Sequence, residues 1–321
     1  MKIKIRPYKY GEEMKVVSLW NRCLIKDLIN IAVFERKVLL DVNFEPEGLL
    51  LAEDGERLLG FSYNVVREYP LLKGEVEQDK DVGWIVALGI APEAYQSEVG
   101  NYLIRESLNY HRSKGKKVVL YSPYIPNYFF PGIDADSYPH EYDIIIRNGF
   151  TEVSKALAMD ASLWPNFQYP QNILEVEEKL ERENIKVMTL TTEYLYPLMK
   201  FLKNYFGGDW YTRAYGLILH NRKDQVFIAV KESEVIGYCQ FWNGEGYEWY
   251  MPGPHFGPIG VREDMRGKGV GTLLLYKCLK AMKERGIHNA FLLWAREEVR
   301  KFYERFGFKV TRVFRIMKRE L

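Results

Sequence analysis

The stretch Val261-Arg-Glu-Asp-Met-Arg-Gly-Lys-Gly-Val-Gly-Thr-Leu-Leu274 decides the fold of the half of the chain in which it lies. The apolar run at residues 256–261 predicts a strand, and the apolar spacing from Thr272 onward predicts an amphipathic helix. Between them lies a basic, glycine-rich turn at residues 266–271. Backbone N–H groups at the start of a helix attract anions because the helix dipole is positive there. The stretch therefore predicts a phosphate-binding loop.

Length and composition are those of a globular protein with room for two domains. The chain has 321 residues, of which 47% are hydrophobic and 27% are charged, and its net charge is +2. Such a balanced charge gives no reason to expect a nucleic acid or a membrane as a partner. The sequence contains no apolar stretch of about 18 residues and no signal-peptide core. We therefore expect a cytoplasmic protein.

The cysteines are few and widely separated. Cys23, Cys239 and Cys278 form no C-x-x-C pair, so we expect neither a disulfide framework nor a metal site. Cys278 lies within an apolar helical pattern, which predicts a buried thiol without a catalytic role.

The sequence contains an internal repeat. Residues 90–103 align with residues 261–274 at an offset of 171. The same offset carries Gly115, which ends the first predicted helix, onto Gly286, which ends the second. The region of the predicted phosphate-binding loop therefore has a counterpart in the first half of the chain.

The repeat extends upstream and sets the predicted fold. Residues 50–61 align with residues 227–238 at an offset of 177, and both segments read as β-hairpins. Each half predicts an α+β domain with a mixed, largely antiparallel sheet flanked by helices. The predicted bounds are 1–165 for the first domain, 166–184 for a linker that contains a helix, and 185–321 for the second domain.

Two motifs of the second half resemble signatures of the GNAT N-acetyltransferase superfamily. The pattern Arg266-x-x-Gly269-x-Gly271, between a strand and a helix, is similar to its acyl-CoA pyrophosphate loop. The run Lys301-Phe-Tyr-Glu-Arg-Phe-Gly-Phe308 is similar to its closing helix and strand. The resemblance covers about residues 185–321, and it reaches the first half more loosely through the repeat. The doubled arrangement is similar to that of the tandem, two-domain members.

The resemblance implies that the second domain binds acetyl-CoA as its acyl donor. The pyrophosphate would accept N–H groups of the loop, and the pantetheine arm would pair with the preceding strand like an added strand. Because Pro258 lacks an N–H and Gly257 is permissive, we expect a bulge in that strand. The residues that the resemblance assigns to the cofactor are Ile259, Gly260, Val261, Arg266, Gly267, Lys268, Gly269, Val270, Gly271, Thr272 and Arg296.

The resemblance also implies candidates for the chemistry. Tyr303 matches the tyrosine that protonates the departing CoA thiolate in many members, and packing beneath the sheet is the alternative role. His255 and Glu248 are candidate bases for the amine. Asp209 lies in the region of the superfamily's substrate loop, where it would bind the acceptor or serve as a turn residue. Arg296 stands where many members carry an asparagine, so the usual pantetheine contact differs here.

The first half lacks the residues that would serve a phosphate. In the repeat, Tyr95 replaces Arg266, and Glu98 places a carboxylate where Gly269 stands. A negative charge at that position disfavours phosphate. Ile145 occupies the position of Tyr303. We therefore hypothesise that the first half is a degenerate, non-catalytic domain.

Two functions fit these observations. The leading hypothesis is an N-acetyltransferase that moves an acetyl group from acetyl-CoA to a primary amine of a small molecule or peptide, by direct attack in a ternary complex. The alternative is a non-catalytic acyl-CoA-binding or regulatory protein. An aminoacyl transferase that uses charged tRNA is disfavoured by the intact loop and the near-neutral charge.

Overall fold

The computed structural model describes residues 2–55, 57–71, 75–243 and 255–321. Its elements follow the order predicted for two successive α+β domains, so the predicted fold class is confirmed. In chain order they are β1 (Lys4–Pro7), α1 (Glu13–Cys23), α2 (Ile31–Phe34), β2 (Leu49–Asp54), β3 (Arg57–Val66), α3 (Glu75–Asp79), β4 (Val82–Ile90), α4 (Val99–Ser113), β5 (Val118–Tyr121), β6 (Ile133–Asp134), α5 (Pro139–Arg147), β7 (Thr151–Ser162), α6 (Ile173–Arg182), β8 (Ile185–Thr189), α7 (Leu195–Tyr205), α8 (Gly208–Leu219), β9 (Val226–Lys231), β10 (Glu234–Trp242), β11 (His255–Val261), α9 (Val270–Glu284), β12 (Asn289–Ala295), α10 (Arg300–Glu304) and β13 (Lys309–Glu320).

The chain forms two compact units, and each takes its last strand from the other half of the sequence. Unit 1 comprises Met1–Ala156 with Arg312–Leu321, and unit 2 comprises Leu157–Thr311. These units differ from the predicted bounds, which divided the chain once along its sequence. A strand counts with the sheet in which it pairs, so residues 157–162 fall in unit 2 and residues 312–321 fall in unit 1. The predicted linker lies within unit 2, where Glu177 of α6 pairs with Lys277 of α9 at 2.7 Å. The functional division of the chain stays a prediction.

Unit 1 is a mixed sheet with helices on both faces. Strands β1 to β4 are antiparallel neighbours, β4 pairs with β5 in parallel, and β13 lies antiparallel to β5. Phe61 of β3 stacks on Trp20 of α1 at 5.0 Å between ring centroids. The next residue, Ser62, hydrogen-bonds to Ser107 of α4 at 2.8 Å. Because neighbouring strand residues face opposite sides, these two contacts place α1 and α4 on opposite faces.

Unit 2 repeats this layout in its own residues. Strands β8, β9, β10 and β11 form an antiparallel sheet, and β12 pairs with the end of β7. Helices α7 and α8 cover one face with apolar side chains that include Leu198 and Leu202, and Tyr238 of β10 belongs to the same cluster. Helix α9 covers the other face. All three cysteines of the chain are buried free thiols, as predicted for Cys278.

A glycine sets the distance between helix and sheet in both units. A Cβ on Gly60 of β3 would lie 3.0 Å from Leu103 of α4, and a Cβ on Gly237 of β10 would lie 2.9 Å from Leu274 of α9. Both distances are shorter than ordinary van der Waals contact, so a larger residue would push the helix away. The two halves therefore share the close packing of a helix against a glycine of the sheet, as well as the sequence pattern.

Both units also carry a bulge at the same repeat position. In unit 1 the extra residue lies on β4 at Val86, where the register with β3 shifts. In unit 2 the shift falls between the pairs Cys239–Ile259 and Phe241–Phe256, so the bulge lies at Gly257 and Pro258. The bulge predicted from the proline and the glycine is confirmed.

Unit 1 fills the space beside its bulged strand with its own side chains. Strand β4 pairs with β5 only from Val82 to Ile85, and beyond that the N–H of Ile90 donates to Glu141 Oε1 at 3.4 Å. Glu141 is 1% exposed, and its Oε2 has no hydrogen-bond partner among the described residues. Burial raises the pKa of this carboxyl from its ordinary value near 4.5 to about 7.

This carboxyl makes the stability of unit 1 depend on pH. Between the unfolded and folded pKa values the native state holds a proton that the unfolded state has released, so stability falls as pH rises from about 4.5 to about 7. We expect Glu141→Gln to raise the free energy of unfolding at pH 8 by on the order of 3 kcal/mol and to change it little at pH 4. Urea denaturation at pH 4, 6 and 8 measures the difference.

Glu47→Gln is the matched control, because Glu47 is an exposed carboxylate of the same unit. Its free energy of unfolding should stay within about 0.5 kcal/mol of the wild type at each pH. An equal effect of Glu141→Gln at pH 4 and pH 8 would contradict the assignment.

Candidate functional site

The loop before α9 has the backbone conformation that a glycine-rich anion site needs. Gly267 has φ 75° and Gly269 has φ 102°, both in the left-handed region. A residue with a Cβ adopts this conformation at a cost of about 1–2 kcal/mol. A Cβ on Gly267 would meet no atom within 4 Å, so the loop is open there. A Cβ on Gly269 would lie 2.7 Å from Val176 of α6, which covers the other side of the loop.

The loop presents a row of unpaired donors. Among the described residues, none accepts a hydrogen bond from the backbone N–H groups of residues 267–272. The first N–H of this region with a partner is that of Leu273, which donates to Gly269 O at 3.0 Å. N–H groups without partners at a helix start are the feature that binds phosphate in other folds. The loop residues therefore carry the unpaired donors on which the predicted phosphate site depends, and phosphate binding by the loop stays a prediction.

Positive side chains surround this row. Arg266 and Lys268 are exposed, and Arg266 Nε donates to Val261 O at 3.2 Å. Arg305 is exposed as well, and its Nη2 donates to Thr272 Oγ1 at 2.7 Å. Arg305 was not among the residues predicted for the site, although it lies two residues after Tyr303 in the closing motif. Its contact with Thr272 joins residues that are 33 positions apart in the sequence, so only the folded structure reveals it.

Strand β11 turns backbone groups away from its neighbour. The N–H of Arg262 donates to Ile236 O at 2.8 Å, which fixes the hydrogen-bonding phase of the ladder with β10. In an antiparallel ladder alternate residues point their N–H and C=O groups outward, and here these residues are Ile259 and Val261. Among the described residues β11 pairs with β10 alone, so an extended chain can add along this side.

The corresponding surface of unit 1 is covered by protein. A Cβ on Gly100, at the start of α4, would lie 2.3 Å from Ile144 of α5. At the repeat position in unit 2, Gly271 has only ordinary contacts, the nearest at 3.5 Å. The ring of Tyr95 also packs on His140 of α5 at 4.3 Å between centroids. Helix α5 thus packs more tightly on the start of α4 than Phe302 of α10 packs on the start of α9, where the nearest Phe302 atom would lie 3.8 Å from a Cβ on Gly271.

Tyr303 lies on α10 in an aromatic setting. Its ring contacts those of Phe256 and Phe308, with centroids 6.3 and 5.6 Å away, and its side chain is 9% exposed. No described residue hydrogen-bonds to its hydroxyl. Burial raises the pKa of the phenol above its ordinary value of 10, so it is protonated at neutral pH. Both predicted roles, acid and packing residue, fit this setting.

The candidate bases are placed less favourably. His255 begins β11, is 6% exposed, and packs beside the rings of Trp242 and Phe291. Burial, and then the charge of Arg213, lowers its pKa to about 3, so the imidazole is neutral at pH 7. Glu248 lies outside the described residues.

The other two candidates differ in their surroundings. Asp209 stands in the first turn of α8, and both carboxylate oxygens lie 3.0 Å from Nε of Arg213. Its negative charge is therefore engaged by a buried guanidinium. Arg296 is exposed immediately after β12. Gln240 of β10, which the sequence analysis did not single out, is fully buried close to His255 along the sheet.

Within residues 2–55, 57–71, 75–243 and 255–321, no group of three or more His, Cys, Asp or Glu side chains could hold a metal ion. The same ranges contain no helix that is long and apolar enough to cross a bilayer.

Comparisons with known proteins match the segment that contains these residues. The acetyltransferase (GNAT) family profile matches residues 195–308. The mycothiol acetyltransferase of Stackebrandtia nassauensis is 39% identical over 80 residues, which are 24% of this chain and 23% of that protein. The chain therefore covers under a quarter of this curated relative.

Solved structures match over nearly the whole chain. A GCN5-related glucosamine N-acetyltransferase region of a fungal multi-domain β-N-acetylglucosaminidase matches 99% of this chain and 38% of its own, with TM-score 0.79 and 17% identity. A GCN5-related N-acetyltransferase from Sphaerobacter thermophilus matches 99% and 95%, with TM-score 0.69 and 14% identity. A tandem GNAT protein from the clavulanic acid biosynthesis pathway matches 99% and 98%, with TM-score 0.63 and 13% identity.

At these identities the structural likeness establishes the fold, while the family match rests on the segment that contains the loop, β11 and Tyr303. The predicted resemblance to the GNAT superfamily is therefore confirmed, both in the fold and in the family match. The segment of residues 195–308 therefore matches the acetyltransferase (GNAT) family, by its own sequence and in a chain with the corresponding fold.

Proposed function

We propose that this protein is an N-acetyltransferase that uses acetyl-CoA and a primary amine of a small molecule or peptide, with its active site in unit 2. The observation that carries the proposal is the row of unpaired N–H groups at residues 267–272, next to a strand whose outer edge is open. Together they offer one site for a pyrophosphate and one for an extended amide-containing arm.

The residues present fit acetyl-CoA. Residues 266–272 would hold the pyrophosphate, with Arg266 and Lys268 supplying positive charge. Ile259 and Val261 would pair with the pantetheine arm through their outward backbone groups. The bound thioester supplies an acyl carbon that an amine attacks, with release of a thiolate. The chain supplies positioning, a proton for the thiolate and a route for the ammonium proton.

Tyr303 is proposed as the acid. Its protonated phenol lies in an apolar setting, where a thiolate is poorly solvated and gains most from a proton. His255 and Glu248 remain the proposed bases. With a pKa of about 3 the imidazole of His255 is available but weak, so positioning of a neutral amine contributes the larger share of the rate. Asp209 would contribute to acceptor binding only together with Arg213.

Unit 1 is proposed as a non-catalytic scaffold. Ile144 covers the start of α4, and Glu141 takes the outward N–H of its bulged strand. Both groups that would receive the cofactor are thus engaged by side chains of the unit itself. The alternative function is that of a non-catalytic acyl-CoA-binding protein. Such a protein would bind CoA through the same loop, but Tyr303 would have no role as an acid.

The general test is release of free thiol from acetyl-CoA with a library of primary amines. Turnover with any of them, with an acetylated product by mass spectrometry, supports the transferase. CoA binding without turnover across the library favours the binding protein.

Gly267→Ala should weaken CoA binding about tenfold, because the new Cβ enters the open space in front of the loop. Gly286→Ala is the matched control, since Gly286 also has φ 75° and no atom within 4 Å of a built Cβ. Both variants should lose about 1–2 kcal/mol of stability. Calorimetric titration with CoA gives the affinities; equal affinity in the two variants would contradict the role of the loop.

The intact chain should bind one CoA. Isothermal titration should give one site per chain, and that site should weaken in Gly267→Ala. The full chain is required because unit 1 includes Arg312–Leu321. A second CoA site that inorganic pyrophosphate displaces would overturn the proposal that unit 1 is closed.

Tyr303→Phe should lower kcat about 100-fold and leave the CoA dissociation constant within about twofold. Because burial raises the phenol pKa above 10, ionisation of Tyr303 should not reduce the rate at pH 9. Tyr276→Phe is the control, since Tyr276 lies in unit 2 and packs on Phe167 and Tyr169. Unchanged kcat in Tyr303→Phe would assign the ring to packing alone.

A further inference from the structure

Gln240 is a buried amide with one half of its hydrogen-bonding capacity unused. Its side chain is 0% exposed, in the middle of β10. Its Oε1 accepts a hydrogen bond from the hydroxyl of Tyr238, which is also fully buried. Its Nε2 has no partner among the described residues. The two N–H donors of this buried amide therefore have no acceptor in the part of the chain that the structure describes.

Such an arrangement is unfavourable unless something else accepts. A buried donor without a partner costs about 1–3 kcal/mol, and native proteins contain few of them. Tyr238 fixes the orientation of the amide, because its hydroxyl donates to Oε1 and thereby directs the NH₂ group the other way. Gln240 is thus a donor held in one direction by a neighbouring side chain.

The amide lies beside the part of β11 that the proposed reaction uses. Gln240 falls between the ladder pairs Cys239–Ile259 and Phe241–Phe256, directly opposite the bulge at Gly257 and Pro258. The bulge separates the proposed pantetheine residues from His255, at the head of the strand. A group bound next to Gln240 would therefore lie close to the end of the pantetheine arm.

Aromatic rings lie on the same face of the sheet. Phe206 and Trp210 stack on each other at 4.4 Å and cover Gly260, with ring atoms 2.5 and 2.6 Å from a built Cβ. Trp242, two residues after Gln240, packs beside the ring of His255 at 5.5 Å. Gln240 is thus a polar donor between two aromatic groups. Small-molecule sites typically combine apolar walls with a few placed polar groups of this kind.

We propose that Gln240 selects the acceptor by donating a hydrogen bond to an oxygen that the acceptor carries near its amine. The inference rests on the proposed function and names its substrate class: amines that bear a carbonyl or hydroxyl oxygen, in preference to plain alkylamines and polyamines. A site built to donate to an oxygen discriminates against analogues without it, because its own donors would then stay unpaired.

The test compares matched amines with the full-length enzyme and acetyl-CoA. Glycinamide is paired with isobutylamine, which has a branched alkyl group in place of the carboxamide, and ethanolamine with propylamine, which has a methyl group in place of the hydroxyl. We expect the wild type to favour the oxygen-bearing member in kcat/KM, and Gln240→Met to reduce that preference about 10- to 100-fold. The intrinsic reactivity of each amine cancels in this comparison between enzymes. The two pairs also distinguish a carbonyl from a hydroxyl oxygen.

Two further variants keep the result interpretable. Gln240→Asn retains the amide on a shorter side chain and should lose part of the preference. Tyr63→Phe removes a buried hydroxyl at the repeat position in unit 1, which has no partner among the described residues, and should leave the preference unchanged. Thermal denaturation shows whether each variant is folded.

The outcomes separate the two levels of the proposal. Thiol release with an equal preference in wild type and Gln240→Met overturns the role of Gln240 and leaves the transferase intact. Loss of preference in Tyr63→Phe to the same extent also overturns it. Release of no thiol from any amine overturns the proposed function and this inference together.

Discussion

A helix can hold an anion only if its first N–H groups are left without protein acceptors. In α9 this condition extends over residues 267–272, and two glycines with positive φ keep the approach open. Strand β11 meets the second requirement, since alternate residues of its ladder with β10 point their backbone groups outward. Arg266, Lys268 and Arg305 add positive charge beside this arrangement of backbone groups.

Unit 1 has the same strand and helix at the corresponding place but surrounds them differently. Its bulge at Val86 and the start of α4 match unit 2 in the repeat, yet Ile144 lies against Gly100 and Glu141 accepts the outward N–H of Ile90. Covering Gly100 with an apolar side chain buries surface, which is favourable. Burying the carboxyl of Glu141 costs stability increasingly as pH rises from about 4.5, and the cost is complete above its folded pKa of about 7.

Features that depend on residues close together in the sequence could be predicted from it. The loop and the bulge at Gly257 and Pro258 follow from residue types with few allowed conformations, so both were predictable. The pairing of Asp209 with Arg213 also has a signal, because residues four apart meet on a helix. The sequence held no signal for Gln240, since one polar residue in an apolar strand does not reveal which face it lies on or what it contacts. The contact of Val176 with Gly269 likewise joins segments distant in sequence.

The two compact units do not coincide with the two halves of the sequence, because each unit includes a strand from the other half. Residues 157–162 of β7, encoded before the predicted linker, pair with β12 in unit 2. A chain that begins at residue 185 would lack them and would expose an unpaired edge of β12. In unit 1, Arg312 of the chain's last strand bonds to Asp27 and Asp134 at 2.6–2.8 Å, with both carboxylates largely buried. Removing one member of such a buried ion pair strongly destabilises a fold. Each half therefore encodes a strand that the other unit requires, whether or not it binds a cofactor.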